Sequence, residues 1–120
     1  MRLKLLHRFL LICALALAAA TVGAEEGYLT GIPDLPLMPV LQEVPDSGLI
    51  FDKPEGRIVQ ALASGTTTPE AVLAFYEESL PQLGWRREAS GDYLREGERL
   101  RLEMEAVGDR VTVLFMLFPK

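Results

Sequence analysis

The chain has 120 residues, 12 basic and 17 acidic, with one histidine, one cysteine and a formal net charge of −5. That length supports one folded domain and not two. The acidic balance disfavours nucleic acid and anionic lipid as partners, and so few His and Cys exclude a site built from several imidazoles or thiolates.

Arg2, Lys4 and Arg8 precede an apolar run from Phe9 to Ala20, and Val22, Gly23 and Ala24 place small residues where a signal peptidase reads them. Residues 1–24 are therefore expected to be a secretory signal peptide cleaved after Ala24, which sends the protein to the periplasm or the medium. The run falls short of the roughly 20 residues a membrane span needs, so no span is expected after cleavage. Cys13 lies inside the run with no lipoprotein cleavage box before it, so no lipid is expected there, and the only histidine, His7, leaves with the signal. Loss of Arg2, Lys4 and Arg8 leaves 96 residues with 9 basic and 17 acidic side chains, a net charge of −8. Export leads to an oxidising compartment, yet no cysteine remains to form a disulfide, so the domain must stand on its core.

Residues 25–47 read as an extended proline-rich arm. Pro33, Pro36 and Pro39 recur every third position, the repeat of a polyproline II helix, and so share one edge. Ile32, Leu35, Met38 and Leu41 share another edge that is wholly apolar. Such an edge calls for a surface, either the arm's own domain or another protein.

Residues 48–120 are expected to form a single α+β domain. Leu49 to Asp52 and Arg57 to Ala63 read as strands around Lys53-Pro54-Glu55-Gly56, where proline in the second position and glycine in the fourth suit a type I turn. A helix follows between Thr66 and Trp85. Thr67 with Glu70 fits a capping box, and Thr68 before Pro69 fits an N-cap with proline in the first turn. Val72, Phe75, Tyr76, Ser79, Leu80 and Leu83 fall on one arc, with Glu70, Ala74, Glu77 and Glu78 opposite. Pro81 predicts a stop near Leu80 or a kink, and Gly84 a left-handed C-cap. Trp85 to Ala89 and Tyr93 to Arg95 then flank Ser90-Gly91 as a second hairpin.

The strongest hairpin is the last, with Gly108-Asp109 between Arg99 to Val107 and Arg110 to Phe118. A two-residue turn there sets Ala106 against Val111, Met104 against Val113, Leu102 against Phe115 and Leu100 against Leu117, and every pair is apolar. This face should receive the helix. The expected fold is an antiparallel sheet of five to six strands with one helix on one face, in the order ββαββββ. On the other face Leu114, Met116 and Phe118 make the final strand apolar on both sides, so they need a cover. The simplest cover is the arm; otherwise Leu114, Met116 and Phe118, with Ile32, Leu35 and Met38, make a partner-binding surface.

The chemistry-bearing inventory is poor. Without mature His or Cys, neither the common catalytic triads nor an imidazole or thiolate metal site can be assembled. Glu103 and Glu105 project from one side of a strand about 7 Å apart, but Arg99 and Arg101 beside them make a self-neutralising solvated face the simpler reading. No glycine-rich phosphate loop or calcium-loop spacing occurs. No catalytic, metal or cofactor site is therefore expected.

Phe75-Tyr76, Leu80-Pro81-Gln82-Leu83-Gly84-Trp85 and Arg95-Glu96-Gly97-Glu98 resemble a pattern of small exported uncharacterised bacterial proteins, in which an FY-bearing helix ends in GW and a strand meander follows. The resemblance spans most of the mature chain and implies a fold, with these residues as core and turn positions, and no activity. The element order is also similar to that of small periplasmic interaction domains such as those of outer-membrane assembly lipoproteins. The expected function is that of an exported, non-enzymatic interaction or accessory module whose partner is another envelope protein or a second copy. A small-ligand binder, with Tyr28, Tyr76, Trp85 or Tyr93 lining a cleft, is the alternative.

Overall fold

The protein is described from a computed structural model, which covers residues 27–32 and 34–120. The signal sequence, its cleavage after Ala24, His7 and Cys13 lie outside the described residues.

The last hairpin sets the register of the sheet. Strands β6 (Glu98–Val107) and β7 (Arg110–Pro119) pair with Leu100 against Leu117, Leu102 against Phe115, Met104 against Val113 and Ala106 against Val111, as the turn predicts. The other side of β7 takes β3 (Gly56–Thr66), whose inner row is small. Ala61, Ala63 and Gly65 stand against Phe115, Val113 and Val111. Strand β2 (Leu49–Lys53) forms the expected hairpin with β3, and β4 (Arg86–Arg87) and β5 (Tyr93–Arg95) form the short hairpin that continues the sheet beyond β6.

The sheet has seven strands in the order β1-β3-β7-β6-β5-β4, with β2 also on β3. One more strand is present than predicted. It is β1 (Gln42–Glu43), formed where the arm meets the edge of β3 at Ser64 and Ala63. Between β1 and β2 the chain loops away from the ladder. Ser47 fastens the loop: its hydroxyl donates to the Val44 carbonyl at 2.7 Å and accepts from the Leu62 N–H at 3.1 Å.

Helix α1 (Pro69–Gln82) starts at the second of the two signals. Thr68 is the N-cap, and its hydroxyl accepts from the Ala71 N–H at 3.2 Å. Pro81 neither stops nor shortens the helix before Gln82, because in the last turn its missing N–H costs only one bond. The C-terminal end closes as a Schellman motif, with Trp85 N–H bonded to Leu80 C=O and Gly84 N–H to Pro81 C=O. Gly84 has φ +90°, the left-handed conformation that such an ending requires.

The helix buries Val72, Tyr76 and Leu80 against the inner row of the sheet, with Phe75 and Ser79 half-buried and Leu83 exposed. Glu70, Ala74, Glu77 and Glu78 face outward as predicted. The Tyr76 ring meets Phe115 edge-on, with centroids 5.5 Å apart.

The arm departs most from its expected shape. From Gly27 to Leu37 it doubles back on itself: Leu37 N–H bonds to Gly27 C=O at 2.8 Å, Leu29 N–H to Leu35 C=O at 3.2 Å and Leu35 N–H to Ile32 C=O at 3.0 Å. An extended polyproline arm would leave these donors without internal partners once pressed onto a core, and the turn satisfies them. Leu29, Ile32, Leu35 and Leu41 are all buried in one cluster with Val59, Ala61, Tyr76 and Phe115. The small inner row of β3 is what admits the arm. A Cβ on Gly65 would lie 2.1 Å from the Val40 carbonyl oxygen, so only glycine allows the chain to pass there.

Candidate functional site

Alternation along β7 sends Leu114, Met116 and Phe118 to the face opposite the helix. Leu62 stands beside Leu114 and Gln60 beside Met116 on β3, while Glu103, Arg101 and Arg99 stand beside Leu114, Met116 and Phe118 on β6. Register carries the same face outward to Leu49 and Phe51 of β2, opposite Gln60 and Ile58. Leu114, Met116, Phe118, Ile58 and Leu62 are half-buried by their neighbours in the sheet, and Leu49 and Phe51 remain about half exposed. None of them belongs to the buried core cluster, which lies on the helix side.

The arm is therefore not the cover for this row. Ile32 and Leu35 are 1% and 0% exposed in the core on the helix side, and Met38 packs half-buried against the same cluster. The structure does not bring Ile32, Leu35 and Met38 together with Leu114, Met116 and Phe118. The cause is the small inner row of β3, which offers the arm a deeper seat than the back of the sheet.

Beside the apolar row the charges are arranged differently from the predicted self-neutralising strand. Asp92, at the entrance to β5, is the buried charged residue of the described chain, 5% exposed. Arg101 donates to it from Nε at 3.0 Å and from Nη2 at 2.9 Å, and Arg99 donates from Nη1 at 3.2 Å. Arg99 also reaches Glu88 at 2.7 Å. The Arg101 hydrogen bonds hold the Asp92 carboxyl below the usual range despite its burial. The arginines are thus committed to Asp92 and Glu88, and the Arg101 guanidinium also lies 5.3 Å from the centre of the Phe118 ring. Glu103 and Glu105 are exposed and make no ion pair among the described residues. Asp92 follows a Ser-Gly turn signal in the sequence, but only the fold over β6 gives it its partners.

A second candidate is a cleft of about 640 Å³ between α1 and the arm, bordered by Tyr28, Asp34, Leu37, Phe75, Glu78 and Ser79. Of the aromatic residues expected in a cleft, only Tyr28 lines it. Tyr76, Trp85 and Tyr93 are buried in the core. The Ser79 hydroxyl is buried without a hydrogen-bond partner at this border. Two residues of its border, Asp34 and Leu83, are bonded by Arg95, which stacks 4.3 Å from the Trp85 ring centre and donates to Asp34 at 2.5 Å and to the Leu83 carbonyl at 3.0 Å.

Among the described residues no three His, Cys, Asp or Glu side chains converge as metal ligands do, and no helix is long and apolar enough to cross a membrane. No protein-family model, curated protein or solved structure matches the chain.

Proposed function

We propose that this protein is an exported, non-enzymatic interaction module that presents the back of its sheet to another protein of the cell envelope. One observation carries the reading. The apolar arm, the domain's own available cover, is buried on the helix side, away from Leu62, Leu114, Met116 and Phe118, which are only partly buried and outside the core cluster. A contiguous apolar row of this kind marks a docking surface on a protein that must stay soluble. Glu103 and Glu105 flank the row and are not neutralised from within, so the matching partner presents an apolar ridge with lysine or arginine on one side. The test is to replace Met116 with serine and Phe118 with aspartate and compare co-purifying proteins with those of the parent. Loss of a discrete partner at an unchanged melting temperature supports the reading, and a folded variant that retains every partner refutes it.

A second reading rests on the cleft. The cleft sets the apolar side chains of Tyr28, Leu37 and Phe75 beside the polar groups of Asp34 and Glu78, a mixed lining suited to a small ligand. Envelope sugars and lipids that shift Trp85 fluorescence or the melting temperature would support it. A panel that moves neither counts against it.

A further inference from the structure

Strand β2 differs from the other strands longer than two residues in that all five of its residues are exposed. Leu49, Ile50 and Phe51 are 49%, 58% and 52% exposed, three consecutive large apolar side chains at the margin of the sheet. Ile50 pairs with Val59 and so points to the helix side, whereas Leu49 and Phe51 pair with Gln60 and Ile58 and point to the back. A partner lying on either face would cover only one of these sets. A strand added at the edge covers both, because its own side chains alternate in the same way. The edge is available, since β2 pairs with β3 alone and every second residue of an edge strand turns its N–H and C=O outward.

We infer that β2 is a self-association edge, on which a second copy of this chain pairs its own β2 antiparallel about a two-fold axis at Ile50. The occupant follows from the strand read against itself. With Ile50 on the axis, Ile50 meets Ile50 of the second copy on the helix side, and Leu49 meets Phe51 twice on the back. Every large apolar side chain of the strand then has an apolar partner directly opposite. Asp52 falls opposite Gly48, so no like charges oppose one another. A shift of the axis to Phe51 would set Ile50 against Asp52 and Leu49 against Lys53, and a shift to Leu49 would set Phe51 against Ser47.

Asp52 and Lys53 cancel within the strand, but Asp46 and Glu55 flank it and meet across the axis at each end, so the apolar pairs carry the contact and added salt should strengthen it. The pairing joins two sheets edge to edge and makes one continuous back from two. A five-residue edge buries less than the roughly 1,200 Å² typical of stable interfaces, so the dimer forms with rising concentration and dissociates on dilution. This inference does not depend on the back of the sheet being a docking surface.

The test uses the full chain as the cell processes it, in sedimentation velocity across a concentration series. The expected result is a monomer that converts to a dimer, with association weakened roughly a hundredfold by Ile50→Lys, which opposes two charges and removes the apolar pair at the axis. Phe51→Lys is the second variant, expected to act in the same direction, and both side chains are exposed enough for the melting temperature to hold. A short thiol crosslinker should join Ile50→Cys chains far faster than Val107→Cys chains, although Val107 is 70% exposed at the β6–β7 turn. A single monomeric mass at all concentrations overturns the inference, as do undiminished association of Ile50→Lys or equal crosslinking at Val107→Cys. A dimer abolished by Phe118→Asp but not by Ile50→Lys would place the contact on the back of the sheet and also overturns it. Persistence of the β2 dimer in Phe118→Asp supports it, whatever becomes of the envelope partner.

Discussion

The Tyr76 hydroxyl donates to the Pro36 carbonyl at 2.8 Å and accepts from the Met38 N–H at 3.3 Å, so one side chain of the helix holds the arm at two points. These bonds fasten the arm to the helix side of the sheet. Tyr76→Phe keeps the ring against Phe115 and removes both bonds, leaving a carbonyl and an N–H poorly satisfied. The expected cost is about 1–2 kcal/mol, or a fall of several degrees in melting temperature, with faster amide exchange across residues 27–41. An unchanged exchange pattern there would show that the apolar contacts of Leu29, Ile32 and Leu35 hold the arm without the hydroxyl.

The same residue sets an alkaline limit. Burial raises the Tyr76 hydroxyl well above its ordinary value, so it stays neutral in the folded chain at pH values where an unfolded tyrosine ionises. Its contribution is fully present below the unfolded value of about pH 10 and is lost as the pH rises above it. Denaturant unfolding between pH 8 and 11 should show this decline, and Tyr76→Phe should show less of it.

An acid limit follows from Asp92 and Asp34, both held below the usual carboxylate range, Asp92 chiefly by the Arg101 hydrogen bonds and Asp34 chiefly by that of Arg95. Depressed carboxyls add stability that is present above about pH 4 and is lost as the pH falls through their folded-state values. Asp92→Asn should lower the melting temperature at pH 7 and flatten its acid limb. A hydrogen bond to a charged group contributes more than a neutral one, but the half-exposed Arg101 screens it, so the expected cost is about 1 kcal/mol. Equal acid sensitivity of Asp92→Asn and parent would assign the acid limb to other carboxyls.

Gly65 is the third place where a single atom matters. A methyl group there would enter the Val40 carbonyl, backbone against backbone, with no flexible side chain to yield. Gly65→Ala should cost about 3 kcal/mol, the upper end for overpacking, and should loosen β1 from Ser64 and Ala63 before the rest of the sheet. Thermal melting together with residue-level amide exchange checks both the size and the place of the loss.

Much of this fold could be read from local signals. A two-residue turn at Gly108-Asp109 admits one register that matches apolar residues to one another, and the structure adopts it. Thr68, Pro69 and Gly84 mark the ends of α1, since caps depend on residues adjacent in sequence. The seat of the arm was less legible. Its apolar edge fits either face of a sheet, and the deciding feature, the run of Ala61, Ala63 and Gly65, acquires meaning only once β3 is known to face the helix. Strand β1, only two residues long, carries no periodicity. The Asp92 cluster joins residues from a turn and a neighbouring strand, whereas spacing along the sequence matches Arg99 and Arg101 only to Glu103 and Glu105 on their own strand. Leu114, Met116 and Phe118 stood out because alternation with Val113, Phe115 and Leu117 left no polar side to the strand.

The decisive measurement is photocrosslinking from position 116 in the protein's own cells, with a photoreactive residue in place of Met116 and mass spectrometry of the adducts. A docking surface on the back of the sheet predicts a discrete adduct with another envelope protein, abolished by Phe118→Asp in the same chain. The absence of any intermolecular adduct, or adducts only within the chain to residues 27–41, would contradict it.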